Sequence, residues 1–175
     1  RDLWQSILET RMVKGEPYII YSDTVRRAMP EVYKKNGLDV KTSQLCAEIT
    51  LHTGTDYNNR ERTAVCCLSS LNLELWDEWK DDPTFYDDVL EFLDNVMQEY
   101  IEKAGPNYED ATYSAMMERS VGLGVMGFHS LLQKKGIPWE SATAKAYNKN
   151  ISRHIKKKLR EANKRLADLR GPCPD

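Results

Sequence analysis

The stretch Thr63-Ala64-Val65-Cys66-Cys67-Leu68 is a continuous apolar run of strand length, with polar residues on both sides. Such a run is typical of a strand that is buried on both faces. Because a lone buried strand cannot satisfy its backbone hydrogen bonds, we expect neighbouring strands. A second β-rich run, residues 18–21, follows Gly15 and Pro17, which end the first helix. It is predicted to be another buried strand.

Helical periodicity dominates the rest of the sequence. Apolar residues recur at helical spacing over residues 3–13, 84–100 and 141–169. The last helix is the clearest, with Ser141 as its N-cap and Gly171 as its end. Residues 114–134 contain three glycines in an apolar run, and we interpret them as a helix whose start packs closely. The pattern predicts an α/β fold, helix-rich, with two or three strands in this chain.

Composition and charge argue against several function classes. The chain has 175 residues, 41% hydrophobic and 30% charged, which fits one globular domain. Its 25 basic and 27 acidic residues give a net charge of -2, so neither nucleic acid nor a membrane is an expected partner. We find no apolar run of roughly 18 residues and no leader-like segment before the first helix. A cytoplasmic protein is expected.

The ends and the cysteines give two further expectations. Arg1 is not a methionine, and Asp175 follows the turn-like residues 171–174, so we expect a segment of a longer chain. Four cysteines are few for a disulfide scaffold, and the adjacent pair Cys66 and Cys67 disfavours a structural bridge. Reduced thiols or a catalytic pair fit better.

The short segment Ser43-Gln44-Leu45-Cys46-Ala47-Glu48-Ile49 alternates polar and apolar residues, which indicates extended chain. Gln44, Cys46 and Glu48 would then share one face. A thiol between an amide and a carboxylate suits a substrate that carries hydroxyl groups, because the amide can hold one hydroxyl and the carboxylate can accept a proton from another. The spacing alone is weak evidence, since Cys46 could equally be a small buried apolar residue.

Several stretches, taken in order, resemble the central catalytic region of class I ribonucleotide reductase large subunits. They are Arg11-Met12, Gly15-Glu16-Pro17-Tyr18, Ser22-Asp23-Thr24-Val25, residues 43–49, residues 64–73, residues 119–127 and Gly171-Pro172-Cys173-Pro174. The ordered set is specific and covers nearly the whole chain. The resemblance implies that residues 1–175 are an internal fragment of the catalytic barrel domain, part of a ten-stranded α/β barrel with a central finger loop.

The resemblance also implies the chemistry. Gln44, Cys46 and Glu48 fall on the family motif Asn-x-Cys-x-Glu. Cys46 would carry the thiyl radical that removes the 3′ hydrogen of a ribonucleotide, by family inference a ribonucleoside diphosphate, and Glu48 would take the 3′ hydroxyl proton. Cys66 matches one cysteine of the redox pair, whose other member is expected before Arg1. The substrate would contact Ser43, Gln44, Leu45, Cys46, Ala47 and Glu48.

The partners implied by the resemblance lie outside these residues. We expect the remainder of the catalytic subunit, a metal-containing small subunit that generates the radical, an external dithiol reductant of the thioredoxin or glutaredoxin type, and nucleotide effectors such as ATP bound elsewhere. Neither a cofactor nor a metal is expected in this chain itself. The product would be deoxyribonucleotides for DNA replication.

The sequence departs from the family pattern at a few positions. Gln44 is one methylene longer than the family's Asn, which changes the reach of the amide by about 1.5 Å. Arg26 stands where a second Asn is common. Cys67 is an additional thiol, interpreted as a packing residue.

Three alternatives stay open from the sequence. The chain could be a structural or assembly fragment that is inactive by itself. It could hold zinc through Cys46, His52, Cys66 and Cys67, although no C-x2-C spacing is present. It could be a cysteine hydrolase with Cys46 as nucleophile and His52 or His129 as base, although Cys46 lies at no recognisable strand-to-helix elbow.

Overall fold

Backbone contacts divide the computed structural model, which describes residues 1–175, into two units. The first unit comprises residues 1–65, 108–114 and 175, and the second comprises residues 66–107 and 115–174. No helix in either unit combines the length and the apolar character needed to cross a membrane.

The first unit contains three complete helices, the first part of a fourth and one small hairpin. The helices are α1 (Asp2–Lys14), α2 (Ser22–Ala28) and α3 (Glu31–Asn36), and the antiparallel hairpin consists of β1 (Gly54–Thr55) and β2 (Glu61–Arg62). Helix α1 ends at Gly15, whose φ of 79° lies in the left-handed region that glycine adopts without steric penalty. The remaining residues are mainly loops, and they include residues 43–49.

Little apolar surface is buried within the first unit. Its core cluster consists of Tyr33, Leu38 and Val40, with Val25 and Met29 packed against them. Helix α1 buries no residue at all, and its apolar side chains are widely exposed, with Met12 at 86%. Packing inside this unit therefore stabilises α3 and the segment after it far more than α1.

The second unit is built on a parallel pair of strands covered by helices. Strand β3 (Cys67–Asn72) pairs with β4 (Val121–Met126), with Cys67 opposite Val121 and Asn72 opposite Met126. The helices are α4 (Trp76–Trp79), α5 (Phe85–Lys103), α6 (Glu109–Glu118), which begins in the first unit, α7 (Phe128–Lys134) and α8 (Ala142–Arg170). The long segment between the two strands is the crossover that parallel pairing requires.

The core of the second unit lies between the strands, α5 and α8. Its buried residues are Leu71, Leu73, Trp76, Trp79, Tyr86, Leu90, Leu131, Ile151, Ile155 and Ala162. The predicted helical stripes supply half of these side chains, and the helices predicted at 84–100 and 141–169 are confirmed. Ser141 caps α8 as predicted, because its Oγ accepts a hydrogen bond from the Ala144 backbone N–H at 3.0 Å.

Three secondary-structure predictions are wrong. The strand predicted at residues 63–68 begins at Cys67, and it is not buried on both faces because Leu68 is 53% exposed. Residues 18–21 form no strand, since no neighbouring segment of the chain supplies hydrogen-bond partners. Residues 114–134 contain strand β4 instead of a continuous helix. A Cβ at Gly122 would lie 2.3 Å from Leu68 Cδ2, so the glycine leaves room for the Leu68 side chain on the neighbouring strand.

Candidate active site

Residues 43–49 form a closed loop with Cys46 at its turn. Leu45 and Cys46 form the turn, and the Ala47 N–H donates to the Gln44 carbonyl at 3.0 Å. Ala47 has a φ of 63°, in the left-handed region that non-glycine residues rarely adopt. The predicted extended alternation of this segment is therefore wrong, because the chain reverses direction between Gln44 and Ala47. The period of two that would place Gln44, Cys46 and Glu48 on one face does not apply.

Side chains at the base of the loop hold it closed. The Ile49 backbone N–H donates to Gln44 Oε1 at 2.9 Å. The Ser43 hydroxyl lies 2.7 Å from the same oxygen and also contacts the Ile49 carbonyl, so its single proton is shared between two acceptors. These bonds join the two ends of the segment. The loop is thus shaped by its own polar groups.

The predicted substrate residues are accessible on this loop. Gln44, Leu45, Cys46 and Glu48 are exposed, with Leu45 at 84%, whereas Ser43 and Ala47 are half-buried. Cys46 is a free thiol. The sequence placed the amide, the thiol and the carboxylate within five residues, and the loop keeps them together by connectivity rather than on a shared strand face.

Cys66 lies in the second unit, immediately before β3. Its thiol is half-buried, and it donates to the Cys67 carbonyl at 3.8 Å. A Cβ at Gly122 would lie 3.5 Å from Cys66 Sγ, so the backbone of β4 passes close to this sulfur. Burial raises the pKa of the neighbouring Cys67 thiol. This burial agrees with the interpretation of Cys67 as a packing residue.

A buried polar cluster in the first unit was not predicted. Arg62 Nε donates to Asp56 Oδ2 at 2.7 Å, and both side chains are fully buried. Arg62 also pairs with Asp175, whose carboxylate accepts from the Tyr57 hydroxyl at 2.6 Å. Tyr113 donates to Asp56 Oδ2 at 3.0 Å. We call Asp56, Arg62, Tyr113 and Asp175 the buried ion cluster, and Tyr57, which is 47% exposed, contacts it from its solvent side.

The buried ion cluster keeps Asp56 ionised. Burial by itself would raise the pKa of this carboxyl. Hydrogen bonds from the Arg60 and Asn58 backbone N–H groups, from the Arg62 guanidinium and from Tyr113 outweigh burial and lower the pKa to about 2. The cluster therefore fixes the hairpin that follows the 43–49 loop. The available sequence signal was an Asp in a charged turn, because an Asp side chain there accepts from the backbone N–H two residues on, as Asp56 does from Asn58 at 2.8 Å.

His52 belongs to both rival hypotheses, zinc binding and cysteine hydrolysis, and the structure places it in a buried position. His52 is 1% exposed, and its Nδ1 accepts from the Asp39 backbone N–H at 2.9 Å. That bond positions the ring inside the small core of the first unit. No group of three or more His, Cys, Asp or Glu side chains could hold a metal ion, so the zinc hypothesis has no ligand set.

A polar cavity of about 570 Å³ lies in the second unit, away from the predicted site residues of that unit. Arg119, Arg170 and Cys173 contribute to its lining. Both arginines pair with Asp94, Arg119 through Nε at 2.8 Å and Arg170 through Nη1 at 2.6 Å. Arg170 also pairs with Glu91 at 2.7 Å, so two carboxylates balance the charges of these two arginines.

Comparison with known proteins identifies the family. The family model described as "Ribonucleotide reductase, barrel domain" matches residues 1–175. The chain belongs to this ribonucleotide reductase family. A solved structure of the Actinobacillus ureae class Id ribonucleotide reductase alpha subunit superposes with a TM-score of 0.89 and 37% identity, over 99% of this chain and 33% of that chain. These findings confirm the predicted ribonucleotide reductase resemblance and the α/β barrel assignment.

Two viral proteins are among the similar ribonucleotide reductase sequences. The "Ribonucleoside-diphosphate reductase large subunit" of Invertebrate iridescent virus 3 is 45% identical over 174 residues, which is 99% of this chain and 27% of that protein. The putative large subunit of Frog virus 3 is 44% identical over 178 residues, or 100% of this chain and 30% of that protein. This chain therefore spans less than a third of the length of these relatives.

Proposed function

We propose that residues 1–175 are part of the catalytic barrel domain of a ribonucleoside-diphosphate reductase large subunit, and that the 43–49 loop carries its radical cysteine. One observation carries this proposal: in a chain that matches the barrel-domain family throughout, Cys46 lies at the exposed turn of a loop closed by its own hydrogen bonds. An accessible thiol on a fixed loop can approach a substrate with a defined geometry.

The proposed reaction assigns a role to each group. The Cys46 thiyl radical takes the hydrogen atom from ribose C3′, and Glu48 accepts the 3′ hydroxyl proton. The 2′ hydroxyl leaves as water, and two electrons and two protons come from a pair of thiols that becomes a disulfide. The hydrogen atom then returns from Cys46 to C3′, which regenerates the radical. The products are a deoxyribonucleotide, water and the disulfide.

Other residues of the loop would bind the substrate. Both hydrogen bonds of the Gln44 amide use its oxygen, which leaves its two N–H donors for a ribose hydroxyl oxygen. Ser43, Leu45 and Ala47 would contribute contacts around the thiol. Cys66 would be one member of the redox pair, with a half-buried thiol that lies beside Gly122 of β4.

The proposal requires partners beyond these residues. The rest of the large subunit would supply the second redox cysteine and the sites for nucleotide effectors. A metal-containing small subunit would generate the radical, and an external dithiol of the thioredoxin or glutaredoxin type would reduce the disulfide. The names of the relatives as large subunits support a smaller partner subunit.

The decisive experiment replaces Cys46 by Ser in the full-length large subunit. With the small subunit, a dithiol and a ribonucleoside diphosphate present, we expect loss of deoxynucleotide formation while the fold and nucleotide binding persist. Cys67→Ser is the matched control, because Cys67 is a half-buried thiol with no role in the proposed reaction. Turnover retained by Cys46→Ser would disprove the radical assignment.

A second interpretation is that the isolated chain is a structural part without activity of its own. The exposure of Leu3, Trp4, Met12 and Val13 on α1 supports this interpretation, because such a surface is normally covered in a folded protein. In the assay above, residues 1–175 by themselves should yield no product.

A further inference from the structure

The oxygen of the Gln44 side chain is the point where the two ends of the 43–49 loop meet. It accepts from the Ile49 backbone N–H at 2.9 Å and lies 2.7 Å from the Ser43 hydroxyl. The contact with Ile49 bridges five residues, so it spans the whole turn that contains Cys46. No backbone ladder supports this segment, because residues 41–53 belong to neither a helix nor a strand.

The chemistry of the donor fixes the orientation of the Gln44 amide. A backbone N–H can only donate, so the group that faces Ile49 N must be the amide oxygen and not the amide nitrogen. The two polar atoms of this amide therefore make different contacts. The oxygen accepts hydrogen bonds within the loop, and the nitrogen is directed to other partners.

The turn held by this oxygen contains an unfavourable backbone conformation. Ala47 has a φ of 63°, and a non-glycine residue keeps such a conformation only when surrounding contacts impose it. The Ala47 N–H bond to the Gln44 carbonyl and the Ile49 N–H bond to the Gln44 side chain both act on this turn. Without the side-chain bond, we expect the loop to relax and the Cys46 thiol to move.

We infer that Gln44 is a positioning residue, whose side-chain oxygen closes the 43–49 loop and thereby sets the place of Cys46. This inference rests on the proposed function of Cys46. It differs from a role in substrate binding, which would use the amide N–H donors. The two roles separate cleanly, because glutamate keeps an acceptor oxygen at the same reach and removes the donors, whereas methionine has similar length and offers no oxygen acceptor.

The test uses the full-length large subunit with its small subunit. In Gln44→Met, we expect hydrogen exchange of the Ile49 amide to rise several-fold, because its acceptor is gone. We expect kcat to fall about 10- to 100-fold, because a displacement near 1 Å at a reacting group has an effect of this order. In Gln44→Glu, the Ile49 amide should stay protected, KM should rise, and kcat should fall by a smaller factor than in Gln44→Met.

Gln133→Met is the matched control, since Gln133 is an exposed glutamine on α7, outside the loop. It should leave both the exchange of Ile49 and kcat unchanged. The inference is overturned if Gln44→Met leaves Ile49 protected. It is equally overturned if Gln44→Glu lowers kcat as far as Gln44→Met does while Ile49 stays protected. The exchange measurement does not depend on turnover, so a failed Cys46 assignment would be distinguishable from a failed role for Gln44.

Discussion

The two units of the chain are stabilised by different interactions. The second unit has a core of ten buried apolar residues between β3, β4, α5 and α8. The first unit has a core cluster of three buried apolar residues and, in addition, the buried ion cluster around Arg62. In an apolar core, the loss of stability grows with the size of the side-chain group removed. A buried charge that loses its partner is strongly destabilising whatever its size. The unit that holds Cys46 therefore depends on a few polar contacts.

The largest effect is expected when the buried ion cluster is broken. Asp56→Ala removes the carboxylate that accepts from Arg62, Tyr113 and two backbone N–H groups, and it should destabilise the first unit by about 3–5 kcal/mol. Hydrogen exchange of residues 54–62 would show the loss as faster exchange confined to that unit.

The exposed pair Arg26–Asp39 provides the control within the same unit. Its side chains are 48% and 33% exposed, so Asp39→Ala should change stability by no more than about 1 kcal/mol. Equal effects of the two substitutions would contradict the distinction between buried and exposed charge in this unit.

A core truncation in the second unit should destabilise it by an amount equal to or smaller than that of Asp56→Ala in the first. Leu131 is 2% exposed, and Leu131→Ala should destabilise the second unit by about 2–5 kcal/mol through lost burial and a residual cavity. Leu169, at 75% exposure on α8, is the control, and its replacement by Ala should be nearly neutral. Chemical denaturation followed by tryptophan fluorescence reports mainly this unit, because it contains the buried Trp76 and Trp79, whereas Trp4 of the first unit is 56% exposed.

The smallest effect is a pH dependence confined to the first unit. The pKa of Asp56 is about 2 in the folded chain, below its ordinary value of 3.8. Ionised Asp56 therefore stabilises the fold above pH 3.8, and this contribution is lost as the pH falls from 3.8 through about 2. Acid titration of amide exchange at residues 54–62 should show the loss, and Asp56→Asn should abolish that part of the pH dependence. An unchanged acid profile in Asp56→Asn would contradict the assignment.

The features that the sequence predicted well are those encoded locally. The stripes of α5 and α8 follow from apolar spacing, and the Ser141 cap follows from one side chain and the residues beside it. The family followed from the order of short stretches. None of these features requires knowledge of distant contacts.

The features that the sequence did not predict depend on partners far away in the chain or on single side chains. Strand β4 has glycines where a periodic pattern would need side chains, and its partner β3 lies about fifty residues earlier. The 43–49 segment resembles a strand by its alternation, but without a neighbouring strand it closes through Gln44 and Ser43. The buried ion cluster joins residues 56 and 62 to residue 175, a separation that no local pattern reports.

The parallel pair β3–β4 has one further consequence for work with the isolated chain. It is a sheet of only two strands, so each strand has one edge with no strand partner, and Leu68 and Val125 on it are more than half exposed. Open strand edges that carry apolar side chains are templates for pairing between molecules. The association state of the isolated chain should therefore depend on protein concentration. Dilute solutions favour separate chains, and concentrated solutions favour self-association through these edges.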